Sequence, residues 1–211
     1  GRRDQRLHRL EEAASVRGVA TRWVPRWRLD ELAGDRPHNG CAARCGPVPL
    51  AMLDELIVPA ESPARLVLLD GVTDPHNLGA AIRSAVAFGV DGVIIAGPSA
   101  PPLGGAVARA AVGLLERIPL VRTTVAGDAL VRLRDEGYWA LGADAGGEVI
   151  ERVGPIERWV LCVGAEDRGL RAKTRSKIDE FVRIPMAEGI DSLNVSVATG
   201  VLLYHLCCLW K

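Results

Sequence analysis

Three stretches of this chain place polar side chains where an α/β sheet binds ligands. The first is DPHNLGAAIR, residues 74–83, with Asn77 at the mouth of a helical pattern, Gly79 open to close backbone approach and Arg83 deeper in. The second is VGAEDRGL, residues 163–170, with Gly164 directly after an apolar strand pattern and Glu166 two residues on. The third runs from Ile184 to Leu206: Ile184-Pro185-Met186 ends a strand, and Ser192-Leu193-Asn194 opens a long apolar run. Polar loops at the carboxyl ends of parallel strands form small-molecule pockets. A plainer reading stands beside this one. Asn77, Ser192 or Asn194 could be helix caps alone, and Arg83 an ion-pair partner alone.

Several chemistries are excluded by pattern. There is no GxxxxGK[ST] phosphate loop and no GxGxxG after a strand. GxSxG is absent, and no helix carries a histidine pair with zinc spacing. Cys41 and Cys45 have no second Cys/His pair nearby, so the five cysteines read as structural thiols rather than a metal site.

The elements around these loops alternate. Apolar strands are expected over residues 66–69, 92–96, 120–122, 138–143, 158–163 and 181–184. Helical patterns over residues 79–88, 105–113, 126–136 and 173–178 lie between them, and the run from Val195 closes the chain. Continuously apolar strands separated by helices predict a mostly parallel sheet covered by helices on both faces.

Ahead of this lies smaller β/α material. A helix is expected over residues 2–17, ended by Gly18. Strands follow over 19–24 and 41–43, with a short helix at 27–33 between them and a turn at His38-Asn39-Gly40. This reads as a partial small α/β domain, residues 1–46. Residues 47–63, rich in proline, read as a linker with a short helix near 49–56, and residues 64–211 as the main domain.

Composition bounds the partners. The 211 residues are 48% hydrophobic and 25% charged, as in globular domains. No apolar run reaches the roughly 20 residues that span a bilayer. The first ten residues, GRRDQRLHRL, are charged and carry no signal-peptide pattern. A cytoplasmic location is expected, with the mitochondrial matrix as alternative. Net charge is zero, yet residues 1–50 hold ten arginines and no lysine against six acids. That end is the candidate nucleic-acid face. A second basic run, Arg168, Arg171, Lys173, Arg175 and Lys177, either lines an RNA path or is a solvated face.

The three loops together resemble the signature motifs of the SpoU branch of the SPOUT RNA methyltransferases. The residues that match are Asn77-Leu78-Gly79-Ala80 with Arg83, then Val163-Gly164-Ala165-Glu166 with Gly169-Leu170, then Ile184-Pro185-Met186 with Ser192 to Ala198. The resemblance covers about residues 62–206, and within the branch it is closest to bacterial 23S rRNA guanosine 2′-O-methyltransferases. His38-Asn39-Gly40 stands where their small RNA-binding domain has a His-Gln-Gly turn. One departure is Asp167, where the family usually has glycine.

The resemblance implies a C-terminal trefoil knot that binds S-adenosyl-L-methionine, with Gly142, Ala143, Gly164, Ala165, Ile184, Met186, Leu193 and Asn194 at the cofactor. It implies Asn77, Arg83, Glu166, Ser192 and Asn194 in the transfer of a methyl group to a ribose 2′-hydroxyl. It also implies a homodimer through the terminal and first-motif helices, rRNA as partner, and neither metal nor membrane. A tRNA 2′-O-methyltransferase and a non-catalytic ribosome-assembly factor keeping the fold are the alternatives.

Overall fold

The structure, a computed structural model, describes residues 2–34 and 38–209. The chain divides into two units, Gly1–Gly46 and Pro47–Lys211.

The first unit holds two helices, α1 (Arg2–Val16) and α2 (Arg26–Ala33). Gly18, at φ 66°, stops the first, because a left-handed residue lets the last carbonyls find partners. The indole of Trp23 donates to Glu11 at 2.8 Å and its ring lies 5.8 Å from His8. The turn at His38-Asn39-Gly40 is present, with Asn39 at φ 50° and Gly40 at φ 88°. The strands expected at 19–24 and 41–43 do not form: among the described residues this unit has no strand. A strand needs a ladder partner, and Val19 and Trp23 are exposed rather than packed in a sheet.

The second unit alternates strand and helix. In order come β1 (Ala64–Asp70), α3 (Pro75–Ala87), β2 (Gly92–Ala96), α4 (Gly105–Ala110), β3 (Leu120–Thr123) and α5 (Ala126–Asp135). Then follow β4 (Trp139–Val149), β5 (Arg158–Gly164), α6 (Ala172–Arg175), β6 (Glu180–Arg183) and α7 (Val195–Tyr204), which runs into a π-helical turn at His205–Leu209. The six strands are all parallel, in the order β3-β2-β1-β5-β4-β6.

Both faces of the sheet are covered. On β1, Val67 and Leu69 enter one core with α3, α4 and α7, while Leu66 and Leu68 enter the other with α5. All four are fully buried. Each such side chain contributes about 1.5–3 kcal/mol relative to exposure. This two-sided burial is why the strands read as continuous apolar runs.

Two boundaries near the motif loops differ from expectation. Helix α3 starts at Pro75 rather than Gly79. The Asp74 carboxylate caps it by accepting from the N–H of His76 and Asn77, and Pro75 fills the first helical position, where no N–H is needed. Gly79 therefore sits inside the helix. A β-carbon there would lie 2.5 Å from Val107 O, so its close approach is to α4. Strand β4 continues to Val149 instead of breaking into a loop after Ala143. Ala143 and Glu148 both pair with Val182, so residues 144–147 bulge outward.

Residues 47–63 pack onto the second unit's core. A 3-10 turn at Leu53–Leu56 buries Leu56, and Tyr138 Oη donates to Leu56 O at 3.1 Å. Arg158 Nη1 donates to Pro59 O and Ser62 O, each at 2.8 Å.

Candidate functional site

The three motif loops meet at Glu166. Its Oε1 accepts from Asn77 Nδ2 at 3.1 Å, Asn194 Nδ2 at 2.6 Å and the N–H of Val195 at 3.3 Å. Asn194 Nδ2 also reaches Asn77 Oδ1 at 2.9 Å. The other end of Asn194 caps α7: Oδ1 accepts from the N–H of Ser196 and Val197 and from Ser196 Oγ. Asn194 thus caps α7 with the oxygen of its amide and joins the Glu166 cluster with the nitrogen. Ser192 takes no part in the cap.

Beside this cluster is a pocket at the carboxyl ends of β5 and β6 and the bulge of β4. Its cavity is small, about 190 Å³, and opens to solvent. Ile184, Met186, Leu193 and Leu202 give it apolar walls, and Ala143, Gly164 and Ala165 line it with small residues. Glu166 and Ser192 also line it. Gly142 does not. A β-carbon there would meet Phe181 and Ile178 at 2.9 Å, so it packs behind the wall. Asn77 and Asn194 are not in the pocket lining; their hydrogen bonds to Glu166 connect them to it.

The second loop is held at both ends. A β-carbon on Gly164 would stand 2.0 Å from Gly169 C and 2.2 Å from Leu170 N, so the returning chain crosses directly over this glycine. Beyond the crossing, Arg171 binds Asp70, a fully buried carboxylate at the end of β1. Arg171 Nε donates to Oδ1 at 2.6 Å and the backbone N–H to Oδ2 at 3.0 Å. Such a pair holds position because Asp70 without it would be a buried, uncompensated charge, while Arg171 stays partly exposed. Asp167 is not among the residues with positive φ; Gly169 is, at φ 62°. Replacing the family's glycine by Asp167 thus adds no left-handed strain.

Of the second basic run, three members are engaged. Arg168 pairs with its exposed neighbour Asp167, Arg171 with Asp70, and Arg175 with Asp144 while stacking on Phe181 at 4.4 Å. The bond from Arg175 holds the Asp144 carboxyl below the usual carboxylate range, partly offset by its burial. Arg83 is different: it is exposed on α3, with no hydrogen bond or ion pair to the described residues.

A profile of the SpoU rRNA Methylase family matches residues 64–204, the span that builds this pocket. The chain belongs to the SpoU rRNA methylase family. A second profile, RNA 2′-O ribose methyltransferase substrate binding, matches residues 1–51. The chain is 40% identical to the 23S rRNA (guanosine-2′-O-)-methyltransferase RlmB of Pseudomonas syringae pv. tomato, over 97% of this chain and 83% of that protein. To the enzyme of the same name from Escherichia coli K12 it is 39% identical, over 97% and 86%. Among solved structures it is similar to the SpoU methyltransferase AviRb from Streptomyces viridochromogenes in complex with AdoMet, with TM-score 0.68 and 32% identity over 75% of this chain and 62% of that one. It is also similar to an rRNA methyltransferase from Sinorhizobium meliloti, with TM-score 0.75 and 26% identity over 96% and 76%.

Within this SpoU fold, sequence reasoning missed two charged residues of the pocket wall, Arg183 and Asp191. Their signal was position: each directly precedes a motif residue, Ile184 and Ser192. It also missed Asp70, whose burial at a strand end is invisible without the fold. Among the described residues, no group of three His, Cys, Asp or Glu is placed to hold a metal. No helix is long and apolar enough to cross a membrane.

Proposed function

We propose that this chain transfers a methyl group from S-adenosyl-L-methionine to the ribose 2′-hydroxyl of a guanosine in 23S-type rRNA. The observation that carries this is the cluster of Asn77, Glu166 and Asn194 beside an apolar pocket, in a chain 40% identical to enzymes named for that reaction. The pocket suits the cofactor. Its apolar walls fit an adenine ring, and the carboxylates of Glu166 and Asp191 suit a cation. Bound there, S-adenosyl-L-methionine supplies a methyl group activated by its sulfonium.

The residues of the chain have the remaining work. A 2′-hydroxyl is a poor nucleophile, so it must be oriented and its developing charge stabilised. Arg83 is the group for this. A guanidinium stays protonated, so Arg83 binds the adjacent phosphate and stabilises the forming alkoxide rather than removing the proton. Its exposure and its lack of a partner among the described residues leave it available to RNA. Asn77, Glu166 and Asn194 fix the wall against which the ribose lies, and Ser192 shapes the pocket near the methyl. Gly164, Ala165, Ala143, Ile184, Met186 and Leu193 contact the cofactor, and Gly142 supports them from behind.

Residues 1–46 are the RNA-binding piece in this reading, residues 47–63 a connection and residues 64–211 the catalytic domain. The arginine excess of the first piece supports its role. The trefoil knot belongs to the same reading, and the chain crossing at Gly164 supports it. So does a homodimer: Val197, Val201 and Tyr204 form an exposed apolar stripe at i, i+4, i+7 on α7, a helix that packs on α3.

The test is an acceptor assay with isotopically labelled cofactor on unmodified 23S rRNA and on tRNA. Label in 23S rRNA alone supports the proposal. Label in tRNA alone moves the substrate to the alternative. Cofactor binding with no transfer to either leaves the assembly-factor reading.

A further inference from the structure

The first unit leaves two tryptophans open to water. Trp23 is 60% and Trp27 65% exposed, and α2, which carries Trp27, has no buried residue. An indole left this open is unusual, because so large an apolar surface is normally buried. Neither residue sits on a loose segment. Trp23 Nε1 donates to Glu11 at 2.8 Å, and its ring is tilted by 49° to that of His8, so the indole is held while most of its surface stays free. Helix α2 is tied to the turn after it: His38 Nε2 lies 2.8 Å from Asp30 Oδ1, and His38 Nδ1 accepts from the N–H of Gly40 at 3.0 Å.

The charge beside these rings is one-sided. Arg22 and Arg26 directly precede the two tryptophans, in the run Arg22-Trp23-Val24-Pro25-Arg26-Trp27-Arg28. Three acids of the unit are engaged: Glu11 with Trp23 and His8, Asp30 with His38, and Glu31 with Arg28. Arg17, Arg22 and Arg26 are exposed and make no hydrogen bond or ion pair with the described residues. We propose that Trp23 and Trp27 are a stacking platform for unpaired bases of the RNA substrate, so that this unit selects single-stranded over duplex RNA. This rests on the reading of residues 1–46 as the RNA-binding piece, which the substrate-binding profile at residues 1–51 supports. Indoles take base faces and guanidiniums take phosphates, and a single strand offers both. A duplex offers its phosphates alone, because its bases are stacked on one another. An acidic protein segment would satisfy the arginines but has no flat faces for the indoles.

The two residue types have separable effects. Stacking needs an open base face and tolerates any sequence, whereas phosphate contacts depend on charge and weaken with salt. Loss of an indole therefore removes the preference for single strands. Loss of an arginine weakens single-stranded and duplex RNA alike and flattens the dependence on salt.

Fluorescence anisotropy on the full chain tests this, with a labelled single-stranded RNA of about twelve nucleotides and the duplex of the same sequence. Wild type should bind the single strand more tightly. Trp27→Ala should weaken the single strand about tenfold and leave the duplex within about twofold, and Trp27→Phe should recover most of the loss, because an aromatic face returns. Trp23→Ala and Trp23→Phe should behave in the same way. Arg26→Ala should weaken both RNAs by a similar factor. Native circular dichroism in each variant shows that the unit is folded. Equal affinity of wild type for the two RNAs would overturn the platform, as would parallel loss of both RNAs in Trp27→Ala. Unchanged single-strand binding in the double variant Trp23→Ala/Trp27→Ala would give this surface to a protein partner and also overturn it. The proposed reaction fails separately, when wild type transfers no methyl group to 23S rRNA.

Discussion

The side-chain amide of Asn194 donates to Glu166 Oε1 across 2.6 Å, though the two residues stand 28 positions apart. Through this bond the start of α7 and the loop after β5 share one hydrogen-bonded centre with Asn77. Its removal has a definite cost. Glu166→Ala leaves the amides of Asn77 and Asn194 without their shared acceptor; the bonds are exposed, so water replaces it and the loss is about 0.5–1.5 kcal/mol. Methyl transfer should fall at least tenfold, and thermal melting should show a modest drop. Glu166→Gln retains an oxygen acceptor and should retain more of both.

Gly164 tolerates no side chain. A β-carbon 2.0 Å from the backbone of Gly169 forces the crossing chain apart. Gly164→Ala should abolish cofactor binding and lower the melting temperature sharply. Gly169→Ala meets no atom within 4 Å but carries φ 62°, so it should cost only about 1–2 kcal/mol of left-handed strain. Equal melting curves for the two variants would contradict this ranking.

Arg83→Ala separates binding from chemistry. Cofactor affinity by calorimetry should stay within about twofold, while methyl transfer falls at least a hundredfold, the loss of one electrostatic stabiliser. Arg83→Lys should recover part of the loss, because the charge returns without the planar fork. Transfer at the wild-type rate in Arg83→Ala would remove this residue from the mechanism.

Acid should loosen the bulge at residues 144–147. Arg175 lowers the Asp144 pKa in the folded chain, so the pair stabilises the fold above the ordinary aspartate value of about 3.9 and is lost as pH falls through the lower folded value. Melting temperatures of wild type and Asp144→Asn should differ near pH 7 and converge toward pH 3. A difference that grows on acidification would contradict the assignment.

The apolar stripe on α7 predicts self-association. Val197→Asp or Val201→Asp should shift the mass measured by light scattering from dimer to monomer while far-ultraviolet circular dichroism stays native. A wild-type chain that is monomeric at micromolar concentration would rule the interface out.

Sheet and site were legible to different depths. The strands declared themselves because residues such as Leu66 to Leu69 are buried on both sides and leave no polar alternation. The motif residues Glu166, Ser192 and Leu193 could be placed at the pocket because ligands gather at strand ends. The early start of α3 escaped because Asp74-Pro75 reads equally well as a turn. The length of β4 escaped because Asp144-Ala145-Gly146-Gly147 carries loop composition, yet the sheet absorbs it as a bulge opposite Val182. The strands expected at 19–24 and 41–43 failed for the opposite reason, since β-branched and apolar residues make no strand without a ladder.

The most direct measurement is nucleoside analysis of unmodified 23S rRNA after incubation with the purified chain and S-adenosyl-L-methionine. Digestion to nucleosides and mass spectrometry should yield 2′-O-methylguanosine as the new product, absent when Arg83→Ala replaces wild type. A methyl group found on a base, on a ribose other than that of guanosine, or nowhere despite bound cofactor would contradict the proposed function.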